Sequence, residues 1–128
     1  MQKSKTSDIQ KSIKVGDVNI WERIVHPINT YNPTGKHGNL ILKMSDLVHD
    51  IELCSAEILD KNRFQSVGFL LNVNNPIDIP FGTKLKYTCK VKEINKDKIT
   101  FSAVISDAFN DTTFATGEHI RAVIGLME

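Results

Sequence analysis

The sequence has almost no imbalance of charge: 16 lysines and arginines stand against 15 aspartates and glutamates, a net of +1 over 128 residues. That balance excludes a protein that holds nucleic acid through a broad basic surface. Cysteine is scarce, with Cys54 and Cys89 alone. Their spacing suits no metal, both sit among apolar neighbours, and they read as reduced packing residues with no disulfide expected. No window comes near the roughly 18 consecutive apolar residues of a membrane span. The opening stretch MQKSKTSDIQKS lacks the apolar run of a signal peptide, so a cytoplasmic protein with no membrane partner is the expectation. Internal repeats, low-complexity tracts and domain linkers are missing as well. With 41% hydrophobic and 24% charged residues, the chain suits one globular domain, 15–128, behind a disordered or extended N-terminal segment, 1–14.

What is present centres on Gly35 to Leu59, the longest periodic stretch. Leu40, Met44, Leu47, Val48, Ile51, Cys54, Ile58 and Leu59 recur at the i, i+3, i+4 spacing of a buried helical face. At about 100° per residue, Leu42 and Leu53 fall on the opposite side, flanking Asp46 and His49. A helix lying on a single sheet should not carry two leucines on its outer face, so a second subunit is expected to cover it. Before this helix, VNIWERIVH (18–26) reads as a strand, and INTYNPTGKHGN as a turn-rich loop.

After the helix the pattern turns to β. FQSVGFLLNVNN (64–75) is a strand whose Gly68 marks a bulge or the close approach of a ligand. TKLKYTCKVKEI (83–94) sets Leu85, Tyr87, Cys89 and Val91 on one face and Lys84, Lys86, Lys90 and Lys92 on the other. The lysine row has no interleaved aromatics and reads as a solvated face. KITFSAVISD and TTFATGEHIRAVIGL follow short polar turns and complete an antiparallel meander. One long helix ahead of such a sheet is an α+β arrangement in which the helix buries itself on the sheet.

Several runs carry a resemblance. NPTGKHGNLILKMSD (32–46), SVG (66–68), Asn72-Val73, Pro80-Phe81-Gly82 and GEHIRAVI (117–124) resemble the hotdog-fold acyl-CoA thioesterase superfamily, closest to its fluoroacetyl-CoA thioesterase-like branch. The resemblance implies a long central helix wrapped by a five- or six-stranded antiparallel sheet. It further implies hydrolysis of an acyl-CoA, no cofactor beyond the coenzyme A of the substrate, and a homodimer or dimer of dimers. Asp46 falls on the family's helix carboxylate, with Asn32 and Asn75 as the residues that would orient water. In that branch a hydroxyl residue stands where this chain has Gly38, and a histidine where it has Asn75. Asparagine hydrogen-bonds but is no general base near neutral pH.

The chemistry of thioester hydrolysis asks for donors toward a developing oxyanion. Amides at a helix start, expected at Gly38 to Leu40, would supply them, with Gly38, Asn39 and Gly68 in contact with substrate. Asp46 would act as base toward water or as nucleophile. His49 reads more simply as a surface histidine. Glu52 is the working carboxylate only if the helix register differs, and is otherwise a surface glutamate. His119 and Arg121 read as ordinary sheet-pairing residues. A metal site from Asp46, His49 and Glu52 lacks a second ligand cluster. The competing reading is a non-catalytic module that binds acyl thioesters.

Overall fold

The computed structural model describes residues 8–34 and 40–127. Residues 8–12 form a short helix, α1, followed by β1 (Val18–Ile24), a 3-10 turn (Pro27–Asn29), β2 (Thr30–Tyr31), β3 (Ile41–Leu42) and the long helix α2 (Met44–Lys61). The strands β4 (Phe64–Asn74), β5 (Lys84–Asn95), β6 (Lys98–Asp107) and β7 (Thr113–Leu126) complete the chain. The sheet is five-stranded in the order β1-β5-β6-β7-β4, antiparallel throughout, while β2 and β3 form a separate two-stranded piece.

The expected meander is β5-β6-β7. Its inward row, Leu85, Tyr87, Cys89 and Val91 with Ile99, Phe101, Ala103 and Ile105, is buried. Leu47, Ile51, Cys54, Ile58 and Leu59 of α2 pack onto that face. Each large aliphatic among them contributes roughly 1.5–3 kcal/mol by leaving water. The two cysteines are buried free thiols in the core. On the outer face, Lys84, Lys86 and Lys92 pair with Glu22, Asp111 and Glu118, which neutralises most of the lysine row.

Two expectations need correction. The stretch 1–14 is neither disordered nor extended over its described part: residues 8–12 are helical, and Ile9 and Ile13, one turn apart, are fully buried against Ile58, Phe64 and Phe101. Two isoleucines among lysines, serines and glutamines gave too weak a period to see.

The main helix, expected from Gly35, begins at Met44. The backbone just before it bonds elsewhere: Leu42 N–H to Ile79 O at 2.8 Å, Leu40 O to Phe81 N–H at 3.0 Å, and Lys43 N–H to Asn29 O at 2.8 Å. Leu42 is therefore a buried β3 residue rather than part of an outer helical face, and Leu53 alone of that pair stays exposed, at 43%.

Candidate active site

The two flanks of α2 carry different chemistry. On the β1 flank, every carboxylate has a protein donor. Asp50 is buried and accepts from Arg23 Nη1 at 2.7 Å and from the Tyr87 hydroxyl at 2.8 Å. Arg23 Nη2 reaches on to Asn29 Oδ1 at 3.2 Å, and Asn29 Nδ2 donates to Asp46 Oδ1 at 3.3 Å. The other oxygen of Asp46, Oδ2, is buried without a hydrogen bond, but Lys43 Nζ lies 3.6 Å from it. Two turns beyond Asp50, Glu57 accepts from Asn19 at 3.0 Å and from Trp21 at 3.4 Å, and the Asn19 amide holds its carboxyl below the usual range. The hydroxyl of Tyr87 is pushed well above its ordinary value by burial and by the Asp50 charge.

On the β4 flank the groups are left open. Val48 and Glu52 of α2, Gly68 to Leu71 of β4 and His119 of β7 line a cavity of about 260 Å³. The antiparallel register sets Gly68 opposite Arg121 and Leu71 opposite His119, and a bulge after Gly68 bends β4 there. A Cβ on Gly68 would stand 3.5 Å from Glu52 Oε2, 3.7 Å from His119 Nε2 and 3.8 Å from Arg121 Nη1. The missing side chain thus leaves space at the meeting point of a carboxylate, an imidazole and a guanidinium.

Glu52 makes no hydrogen bond to the described residues. His119 is 1% exposed, and its Nδ1 has no partner. Burial, with Arg121 adding to it, lowers the His119 pKa to about 4, so the imidazole is neutral near pH 7. Arg121 is fixed by Ser66, donating from Nε to Oγ at 2.8 Å and from Nη2 to the carbonyl at 3.1 Å.

The residues expected from sequence do not gather in one place within the chain. Asp46 sits in the first turn of α2, half-buried, on the β1 flank. Asn32 closes a local turn by accepting from the Thr34 N–H at 3.2 Å. Asn75, with its amide turned so that Nδ2 donates, bonds Phe114 O at 3.1 Å and Ile77 O at 2.8 Å. Gly38 and Asn39 lie outside the described residues, and the donors expected of a helix start at Gly38 to Leu40 belong instead to a helix starting at Met44. Gly68 is in the cavity wall. Glu52 and His119, read from sequence as ordinary surface or sheet residues, share that wall, and Arg121 stands beside Gly68. The signal was available: His119 and Arg121 share the inward parity of β7 with the buried Ala115 and Val123, where an apolar side chain is the rule.

A larger depression of about 390 Å³ lies between Asn72–Asn74 and Thr116–Glu118. Its single ionisable side chain, Glu118, is paired with Lys92, which leaves no converging reactive groups there.

A long helix across one face of an antiparallel sheet, with a cavity between its flank and an edge strand, defines a hotdog domain. Solved structures agree. A hot-dog-like protein from Thermanaerovibrio acidaminovorans matches with TM-score 0.80 and 21% identity over 92% of this chain and 88% of its own. A mutant of the fluoroacetyl-CoA-specific thioesterase FlK, in complex with fluoroacetate and CoA, matches with TM-score 0.75 and 18% identity over 89% and 97%. A Streptococcus mutans UA159 protein bound to acetyl-CoA matches with TM-score 0.75 and 11% identity over 91% and 89%. At these identities the likeness is one of fold.

The family comes from the sequence profile: residues 25–126 match that of the fluoroacetyl-CoA-specific thioesterase FlK, and the chain belongs to this family of thioester hydrolases. No curated protein sequence matches it.

Proposed function

We propose that this chain hydrolyses an acyl-CoA to a carboxylic acid and free coenzyme A, with Glu52 as the working carboxylate. The observation that carries the reading is the cavity in which Glu52 Oε2 and His119 Nε2 converge on the vacant side of Gly68. Glu52 takes a proton from water, and the resulting hydroxide attacks the thioester carbonyl. The C–S bond breaks as the tetrahedral oxyanion collapses, and the departing thiolate takes up the proton. Asp46 has its Oδ1 engaged by Asn29 and Lys43 beside its Oδ2; on this reading it anchors the helix start. Asn75, with its amide committed to two carbonyls, holds the end of β4. The CoA-bound structures of similar fold support the substrate class.

The active species is a homodimer that pairs through β4. That strand is an edge of the sheet, and Val67, Phe69 and Leu70 stand 47%, 62% and 42% exposed on it. An apolar edge of this kind invites pairing with another strand. Because Phe69 and Leu70 also line the cavity, the second copy would wall it from water.

Assaying a panel of acyl-CoA esters for thiol release tests the activity, and turnover of at least one is expected. Thermal stabilisation by an acyl-CoA without any turnover would instead support the non-catalytic module. Sedimentation at micromolar concentration is expected to give a dimer, and a monomer would contradict the roofed cavity.

A further inference from the structure

His119 is the most deeply buried polar group of the cavity, and the hydrolysis as described uses only its neighbour. Its Nδ1 has neither solvent nor a partner. The ring is fixed by its strand, which pairs with β6 and β4 on either side, and by Phe101, whose ring centre is 6.3 Å away. The other nitrogen, Nε2, faces the space over Gly68, beside Glu52 Oε2.

A neutral imidazole carries one N–H, and its place follows from these surroundings. An orphaned buried N–H is rarer in proteins than an acceptor left unsatisfied. The proton therefore belongs on Nε2, pointing into the cavity, while Nδ1 keeps its lone pair. Arg121 on the same strand opposes any second proton. The outcome is a rigid, uncharged donor set beside a carboxylate on a wall that lacks a side chain.

We infer that His119 is a second catalytic residue: its Nε2–H donates to the thioester carbonyl oxygen and holds the oxyanion that forms as hydroxide adds. This rests on the hydrolase reading above. A neutral donor suits the role, because a fixed N–H at the developing charge needs no reorganisation as the reaction proceeds. Glu52 remains the group that accepts the proton from water, so the two side chains divide the work across Gly68.

Two measurements on the protein test the inference. Long-range ¹H–¹⁵N NMR of the imidazoles, with His119 assigned through His119→Gln, is expected to report the Nε2–H form near pH 7; the Nδ1–H form would overturn the proposal whatever the activity. In the thioesterase assay, His119→Met, similar in size but without a donor, is expected to lower kcat by about 10²–10³-fold, with KM changed less than about threefold. His119→Gln, which restores an N–H, should recover at least tenfold of that loss. A His119→Met enzyme with full kcat would overturn the donor role. Running Glu52→Gln alongside separates the two claims. A loss there with none in His119→Met removes the donor and leaves the hydrolase reading standing, whereas loss in neither removes both.

Discussion

The β1 and β4 flanks of α2 are built from similar residues to opposite ends. On the β1 side Asp50 and Glu57 are fully engaged by Arg23, Tyr87, Asn19 and Trp21, and Asp46 is held by Asn29 and Lys43. On the β4 side Glu52 has no hydrogen-bond partner among the described residues, and His119 keeps an unpartnered nitrogen in a dry position. Buried polar groups are ordinarily satisfied, and those left open need a reason. Asp46 Oδ2 is also buried without a hydrogen bond, but Lys43 lies beside it, whereas Glu52 and His119 border a cavity. The contrast teaches that a carboxylate's neighbours say more about its task than its place in a motif does.

Filling the cavity is the sharpest way to break the contrast. Gly68→Val should lower kcat/KM by about 10²-fold, the scale of a misplaced reacting group. A Cβ there already meets Glu52, His119 and Arg121 at contact distance, 3.5–3.8 Å, so the two methyl groups of valine fill the space between them, and a thermal melt alongside the assay separates loss of activity from loss of fold. Equal activity for Gly68→Val and the wild type in steady-state assays would remove the cavity from consideration.

The opposite flank should respond in stability. Asp50→Ala strands the Tyr87 hydroxyl and the Arg23 guanidinium, and should cost about 2–4 kcal/mol in chemical denaturation. Activity per folded molecule should change less than threefold.

A smaller effect sharpens the β4 side. Burial, with the Arg121 charge, lowers the pKa of His119 to about 4 from an ordinary 6.5. As pH falls through 6.5 the unfolded chain takes up a proton that the folded protein refuses until about 4. This group therefore subtracts stability progressively from pH 6.5 down to 4, by roughly 3 kcal/mol at the end. In urea titrations His119→Gln should flatten that part of the pH curve. The smallest effect belongs to Asp46→Asn, whose half-exposed ion pair with Lys43 is worth about 1 kcal/mol or less.

The sequence made the sheet legible and the site only partly so. Alternation placed Leu85 to Val91 and Ile99 to Ile105 on the correct face because each strand's pattern is local. The start of α2 was misread because Leu40 continues the i, i+4 row of Met44, Leu47 and Val48, yet the backbone of Leu40 and Leu42 bonds to Phe81 and Ile79, far along the chain.

The carboxylate is a matter of flank. Asp46 and Glu52 lie roughly 120° apart around the helix at about 100° per residue, and spacing alone does not tell which side faces β4. Gly68, expected to mark a bulge or the close approach of a ligand, does sit at a bulge of β4. Its partners, His119 and Arg121, were assigned to sheet pairing because strand parity gives a face and not what lies over it.

The account stands or falls on which flank performs the chemistry. The direct test is kcat/KM for acyl-CoA hydrolysis in Glu52→Gln and Asp46→Asn, measured on folded protein under one set of conditions. The expected result is a loss of about 10²–10⁴-fold for Glu52→Gln and less than threefold for Asp46→Asn. The reverse order, with Asp46→Asn inactive and Glu52→Gln near wild type, would contradict it.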